Sequence, residues 1–300
     1  MVGGTSLPRA GHGSCDCRRS RAERRIRTHR AGRSGTDNVQ GSATGSGSDR
    51  YQYQTSHGAH LIPIRDENPT EITPYFTALF LIVNVASWFL IQGAGSEEAL
   101  RASVGSFGVV PCEVTGACAA DGLGIMAAIT SMFMHGSWEH LIGNMMFLWV
   151  FGNNIEDSMG HLRFLAFYLL CGIAAAAAHI FLSPASQIPA VGASGAISGI
   201  MGAYIALYPS VRVHTWIPPF FFVPLKAFFL LGYWFLLQVM MGVVTLGPEM
   251  GESGGVAVWA HVGGFVAGLA LIWLFRKPEL TYAKSHKIKL SKAEASRLEW

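Results

Sequence analysis

Charged residues are scarce in this sequence of 300 residues. Asp, Glu, Lys and Arg make up 14% of the chain, whereas a soluble domain carries about 25%. Hydrophobic residues make up 50%, so much of the chain must be buried in something other than water. This composition excludes an ordinary soluble globular protein and predicts a membrane protein.

Basic residues are almost missing from the middle of the chain. Of the 22 Lys and Arg residues, 11 precede Ile72 and seven lie from Arg276 onward. Because Lys and Arg stay on the cytoplasmic side of membrane proteins, we predict a multi-pass protein of the cell inner (plasma) membrane with both termini cytoplasmic. This topology accounts for the net charge of +3, so we predict the lipid bilayer and no nucleic acid as partner.

Several motifs of other membrane enzymes are also missing. The sequence has no His-Glu-x-x-His motif for zinc and no pair of aspartates within its apolar stretches. The group of His12, Cys15 and Cys17 is too small to predict a metal site. Paired inverted repeats, which are typical of transporters, are not visible. We therefore predict no metal and no cofactor.

Six apolar stretches are long enough to be predicted as membrane-spanning helices. They lie at residues 74–92, 137–155, 164–182, 191–208, 227–246 and 256–275. The fold class is thus all-α and polytopic. The predicted domains are a disordered basic cytoplasmic tail over 1–60, a six-helix membrane domain over 61–277 and a basic cytoplasmic tail over 278–300.

Residues 93–134, between the first two spans, are moderately polar. Their apolar part, 123–134, is too short to span a bilayer, so we predict a long first outer loop with short helices at the membrane surface. Cys112 and Cys118 would lie on the outer side. A disulfide and two unpaired thiols fit the sequence equally well there.

A few polar side chains lie within the predicted spans, where such groups usually mark function. They are His140, Asn144, His179, His261, Asn84, Gln238 and Ser194. With both termini inside, the second, fourth and sixth helices all enter from the outer side. His140, Ser194 and His261 each fall within the first two turns after entry, so they share one depth in the membrane.

Glycines on the fourth and sixth helices predict close packing of these two helices. The packing residues are Gly192, Gly195, Gly199, Gly264 and Gly268. Such contact would bring His261 next to Ser194, at the distance of about 2.6–3.2 Å that a serine–histidine pair needs. His140 and Asn144 lie four residues apart on one helix face and would supply donors for an oxyanion beside the Ser194 amide.

Each of these residues also has a purely structural interpretation. Ser194 can be one small residue of a helix-packing face, and His261 can be a core histidine bonded to a carbonyl. His140 and Asn144 can form a structural bond between helices, worth about 1 kcal/mol. The three residues at one depth favour a functional site instead. His179, near the outer end of its helix, is predicted to be structural and to reach the interface.

The motifs, taken together, resemble those of the rhomboid intramembrane serine proteases. Residues 140–144, His-Leu-Ile-Gly-Asn, are similar to the family's His-x-x-x-Asn motif, and residues 192–195, Gly-Ala-Ser-Gly, to its Gly-x-Ser-Gly motif. Residues 260–268 resemble its sixth-helix histidine and Gly-x-x-x-Gly segment. The resemblance covers about residues 62–277, with the motifs in the family's order.

This resemblance implies a six-helix bundle and a serine endopeptidase that cleaves single-span membrane proteins near a small residue. It implies that Ser194 is the nucleophile, that His261 is the general base and acid, and that His140, Asn144 and the Ser194 amide bind the oxyanion. Residues 247–255 and the fifth helix would correspond to the family's mobile cap and lateral gate. The alternative is a non-catalytic rhomboid-like binder or chaperone; the presence of Ser194 and His261 argues against it.

Two features depart from the family's pattern. The stretch 124–129 lacks the Trp-Arg pair that many members carry in the first outer loop. Some members also place an aromatic residue under the histidine ring, four residues after the nucleophile. That position is Ser198 here, so the support of the His261 ring must differ.

Overall fold

The computed structural model describes residues 61–219, 221–245, 257–286 and 288–299. Most of these residues are helical. The α-helices are α1 Tyr75–Leu90, α2 Glu97–Phe107, α3 Pro111–Thr115, α4 Ala127–Thr130, α5 Trp138–Phe147, α6 Asn153–Met159, α7 His161–Leu182, α8 Ser194–Leu207, α9 Ala227–Thr245, α10 Val258–Phe275, α11 Pro278–Ser285 and α12 Lys292–Leu298. The predicted tail over 1–60 and the predicted cap over 247–255 lie outside the described residues.

Three of the described helices, α7, α9 and α10, are long and apolar enough to cross a membrane. The helices α1 and α8 are apolar but shorter, with 16 and 14 residues. Ten consecutive residues of α8, 195–204, are buried. Its packing partners are therefore other helices of the protein, which explains why α8 can be composed largely of small and apolar residues.

The second predicted span is interrupted in its middle. It begins at Trp138, as α5, and ends at Met159, as α6. Residues Leu148–Gly152 between them form a π-helix, so the helical repeat is wider there. This interruption and the extension past residue 155 differ from the uninterrupted helix predicted from the sequence.

A small antiparallel sheet, absent from the prediction, joins two distant parts of the chain. Strand β1, Ile62–Asp66, pairs with β2, Arg212–Ile217, which pairs with β3, Phe221–Lys226. In the sequence-based prediction, the second and third strands fall in the connection between the spans at 191–208 and 227–246. Pro224 fits in β3 because β3 is an edge strand, where one missing backbone donor is tolerated.

The segment between α1 and α5 contains several short helices. Besides α2, α3 and α4 it has three 3-10 turns, at Gly93–Gly95, Gly124–Met126 and Ser131–Phe133. Cys112 and Cys118 form a disulfide, which decides between the two alternatives left by the sequence. The position of this segment at a membrane surface stays a prediction.

Buried carboxylates connect the elements at the end of the bundle where β1 lies. Glu156, fully buried, accepts hydrogen bonds from the backbone amides of Phe76 and Thr77, at 2.9 and 2.8 Å, in the first turn of α1. Asp157 pairs with Lys284 of α11, whose Nζ lies 2.6 Å from its Oδ2. Burial lowers the pKa of the Lys284 ammonium group, although Asp157 opposes the shift.

Candidate active site

Ser194 and His261 meet in a direct hydrogen bond. Ser194 is the first residue of α8, and His261 lies in the first turn of α10. The Ser194 Oγ is 2.8 Å from the His261 Nε2. The Ser194 amide is among the first N–H groups of α8, which have no acceptor within their own helix. A serine hydroxyl, an imidazole and a free amide therefore lie together at this helix end.

The close approach of α10 to α8 positions the histidine. The Gly264 and Gly268 positions face the backbone carbonyls of Gly195 and Gly199, and a Cβ at either position would clash with a carbonyl oxygen. Only glycine permits this approach of two helix backbones. The structure thus places these four glycines at the contact between the serine helix and the histidine helix.

Gly192 has a different position from the one predicted. It precedes α8 and has a φ angle of +124°. A Cβ at this position would lie 2.7 Å from the His140 Nε2 and 3.5 Å from the Asn144 Nδ2. Glycine is required here because two side chains of α5 approach the backbone just before Ser194.

His140 and Asn144 direct donors toward this backbone. The His140 Nδ1 accepts a hydrogen bond from the amide of Gly136 at 3.3 Å, so the proton of the neutral ring is on Nε2, the nitrogen beside Gly192. The Asn144 side chain is 7% exposed, and its Nδ2 has no hydrogen-bond acceptor among the described residues. Two side-chain donors, the His140 Nε2 and the Asn144 Nδ2, therefore converge beside Gly192, two residues before Ser194.

The other nitrogen of His261 also has a partner, which none of the sequence motifs contains. The His261 Nδ1 is 2.8 Å from the Gln238 Oε1 on α9. Trp234, one turn earlier on α9, has its ring centroid 5.6 Å from that of His261. Two features of the sequence point to this partner: an amide within an apolar helix, and an aromatic residue four positions before it.

Ser198 does not contact the histidine ring. Its Oγ donates a hydrogen bond to the Ser194 carbonyl at 2.6 Å, one turn back along α8. The support of His261 therefore comes from α9 and not from the position that carries an aromatic residue in some rhomboid proteases.

A cavity of about 40 Å³ lies beside Ser194. Most of its lining is alanine and glycine, with Ser131 and His179 as polar members. The His179 Nδ1 is buried and has no hydrogen-bond partner among the described residues. The structure thus places His179 at this cavity.

His135 lies behind His140. Their ring centroids are 5.2 Å apart and their planes are steeply inclined, at 71°. Gln92 fixes the His135 backbone with bonds of 2.9 Å to its amide and 2.7 Å to its carbonyl. Burial, and to a lesser degree the neighbouring His140, lowers the pKa of His135 to about 3. His135 is therefore a neutral neighbour of His140 at physiological pH.

Comparison with known proteins gives the family. The Rhomboid domain family matches residues 124–278, about half of the chain. The chain is 34% identical over 136 residues to the rhomboid protease GluP of Bacillus subtilis, a match covering 45% of this chain and 25% of that protein. It is 26% identical over 155 residues to the chloroplastic rhomboid-like protein 11 of Arabidopsis thaliana, covering 50% of this chain and 52% of that protein. The mitochondrial rhomboid protein 1 of Saccharomyces cerevisiae is 27% identical over 156 residues, a match covering 51% of this chain and 42% of that protein.

These matches span from a quarter to about half of the length of the curated relatives. The family match, residues 124–278, includes the segments that carry Ser194, His261, His140 and Asn144. Together with the apolar helices α7, α9 and α10, they establish that the chain is a membrane protein of the rhomboid family.

Proposed function

We propose that this protein is an intramembrane serine endopeptidase that uses Ser194 and His261 as a catalytic dyad. The observation that carries the proposal is the 2.8 Å hydrogen bond between Ser194 Oγ and His261 Nε2 at the start of α8. A serine hydroxyl is a weak nucleophile until an adjacent base removes its proton. The imidazole at hydrogen-bonding distance is such a base.

The proposed reaction is acyl transfer to Ser194 followed by hydrolysis. His261 Nε2 accepts the Ser194 hydroxyl proton while Oγ attacks the carbonyl carbon of the scissile peptide bond. The C–N bond then breaks, and His261 protonates the leaving amine. Water next attacks the acyl-enzyme carbonyl while His261 Nε2 takes one of its protons. The ester C–O bond to Ser194 Oγ then breaks, His261 returns the proton to Oγ, and the carboxylic acid product leaves.

Charge on the tetrahedral intermediate would be stabilised by three donors. These are the Ser194 amide, the Asn144 Nδ2 and the His140 Nε2, which lie around the backbone at Gly192. Donors held in place before the reaction need no reorganisation when the oxyanion forms, and one such donor contributes about 2.7–4 kcal/mol. The buried Asn144 amide without an acceptor supports this role.

The cavity beside Ser194 supports the hydrolytic step. Its volume of about 40 Å³ exceeds the roughly 10–15 Å³ that one water molecule requires. Ser131 and His179 are polar residues of its lining, and the His179 Nδ1, which has no hydrogen-bond partner among the described residues, is available to bind water. Water retained there would lie next to the acyl-serine.

The proposed topology has six spanning helices. They are α1, the α5–α6 unit with its π-helical segment, α7, α8, α9 and α10. The basic ends support a topology in which both termini lie on the cytoplasmic side of the plasma membrane. In this topology the start of α5, α8 and α10 faces the outer side. The proposed substrates are single-span membrane proteins, whose scissile bond enters the bundle at that depth.

The test uses the purified protein in proteoliposomes with a single-span model substrate. We expect cleavage by the wild type and none by Ser194→Ala or His261→Ala. A fluorophosphonate probe should label the wild type and not Ser194→Ala. Cleavage that persists in either variant would refute the dyad, and binding without cleavage by the wild type would favour the non-catalytic binder instead.

A further inference from the structure

Gln238 holds the side of His261 that faces away from Ser194. Its Oε1 lies 2.8 Å from the His261 Nδ1, while Nε2 of the same ring lies 2.8 Å from the Ser194 Oγ. The imidazole is therefore held between two oxygens, one on α9 and one on α8. The two oxygens differ in chemistry, because one belongs to an amide carbonyl and the other to a hydroxyl. The two ring nitrogens therefore have different roles in their hydrogen bonds.

A carbonyl oxygen can accept a hydrogen bond but cannot donate one. The His261 Nδ1 must therefore carry the proton in its bond to the Gln238 Oε1. In a neutral imidazole the other nitrogen then has a free lone pair. That nitrogen is Nε2, which faces the Ser194 hydroxyl and needs the lone pair to act as its base.

The surroundings of Gln238 indicate that the role of this amide is its hydrogen bond to His261. Gln238 is 9% exposed. The rest of α9 consists of apolar residues and glycines, together with Tyr233, Trp234 and a terminal threonine. Burying an amide in such a helix is unfavourable unless it is hydrogen-bonded. Leucine at this position would suit an apolar helix better if packing alone were required.

We propose that Gln238 is a positioning residue that fixes the tautomer and the ring orientation of His261. It occupies the place that a carboxylate takes in a serine–histidine–aspartate triad, but it is uncharged and so avoids burying a carboxylate within the bundle. Trp234, one helical turn away, packs near the same ring. This inference rests on the proposed function.

The test compares variants that differ in the acceptor at this position. Gln238→Leu and Gln238→Met remove the acceptor with little change in volume, and Gln238→Glu keeps an oxygen. Met241→Leu, which changes a 39% exposed side chain on the same helix, is the control. Steady-state cleavage of a single-span model substrate in proteoliposomes gives kcat and KM, and fluorophosphonate labelling gives the reactivity of Ser194 per folded molecule.

Loss of the acceptor should lower kcat and the labelling rate by about tenfold or more, with KM unchanged, because the interaction acts on the base and not on substrate binding. Gln238→Glu should stay within about threefold of the wild type, and Met241→Leu should match it. Two acceptor-free variants are used so that one folding failure does not decide the result.

Wild-type kcat and labelling in a folded Gln238→Leu or Gln238→Met protein would overturn the inference. An equal loss in Gln238→Glu would also overturn it, since shape and not the acceptor would then matter. Either result leaves the Ser194–His261 dyad intact. A wild-type protein that does not cleave, or a Ser194→Ala protein that does, refutes the proposed function itself.

Discussion

Replacing Gly264 with alanine should separate His261, the proposed base, from Ser194. Gly264 faces the carbonyl of Gly195, the residue that follows Ser194, and a Cβ on the existing backbone would lie 2.0 Å from that oxygen. Real Cβ atoms stay at least 3.0 Å from such an atom. Because the obstacle is backbone and not a flexible side chain, α10 must move away from α8 by about 1 Å, the difference between the two distances.

His261 lies three residues before Gly264, so a shift of α10 moves it almost equally. The distance from the His261 Nε2 to the Ser194 Oγ would grow from 2.8 Å to nearly 4 Å, beyond the range of a hydrogen bond. A misplacement of about 1 Å can reduce catalysis by about 10²-fold. Overpacking costs about 1–3 kcal/mol of stability, partly offset by about 1 kcal/mol of helix propensity gained when alanine replaces glycine.

The assay is cleavage of a single-span model substrate, together with thermal unfolding in detergent. We expect Gly264→Ala to remain folded at the assay temperature with kcat lowered by about 10²-fold. Gly232→Ala is the control, because a Cβ at this position of α9 meets nothing within 4 Å. Wild-type kcat in Gly264→Ala would refute the link between helix spacing and the dyad.

Three further changes test other parts of the structure. Asn144→Ala should lower kcat by about 10²–10³-fold with little change in KM, as expected for the loss of one oxyanion donor; an effect on KM alone would contradict that role. Gly192→Ala should abolish most cleavage while leaving substrate binding measurable, because its Cβ would press on the His140 ring at 2.7 Å and alanine disfavours the φ of +124°. Lys284→Met should leave Asp157 buried without its cation and lower stability by about 3–5 kcal/mol, seen as a lower unfolding temperature; an unchanged temperature would show that the pair contributes little.

Much of the candidate site could be predicted from the sequence because the membrane limits the possibilities. Spanning helices alternate in direction, so every second helix enters the membrane from the outer side. Residues equally far from the outer ends of such helices lie at the same depth. On this basis the sequence alone predicts that His140, Ser194 and His261 lie at one depth. The glycine spacing on the sixth helix then indicated which helix lies next to the serine, since two backbones approach closely only where Cβ atoms are missing.

The partner of His261 could not be predicted in the same way. The sequence showed Gln238 as an amide in the fifth helix, but α9 is apolar around most of its circumference. Without a polar face or a small-residue face, nothing in its pattern specifies the rotation of the helix about its axis. The contact between Gln238 and His261 depends on that rotation, so only the packed structure shows it.

The sheet and the buried carboxylates were missed for a related reason. Strands β1 and β2 pair across about 150 residues of chain, and β3 contains Pro224, which argues against a strand unless the strand is known to lie at an edge. Glu156 lies one residue past the end of the second predicted span, 137–155. Its function as an acceptor for the first turn of α1 is a long-range contact that local pattern does not encode.

The contacts of Gly264 and Gln238 control the same hydrogen bond by different means. The Gly264 contact sets the distance between α10 and α8, and the Gln238 Oε1 sets which nitrogen of His261 carries the proton. Once the histidine is too far from Ser194 to take its proton, the tautomer no longer affects the rate. The Gly264→Ala/Gln238→Leu double variant should therefore lose clearly less activity than the product of the two single losses. Losses in kcat that multiply would show that the two residues act on separate steps, and the shared dependence on the Ser194–His261 bond would be wrong.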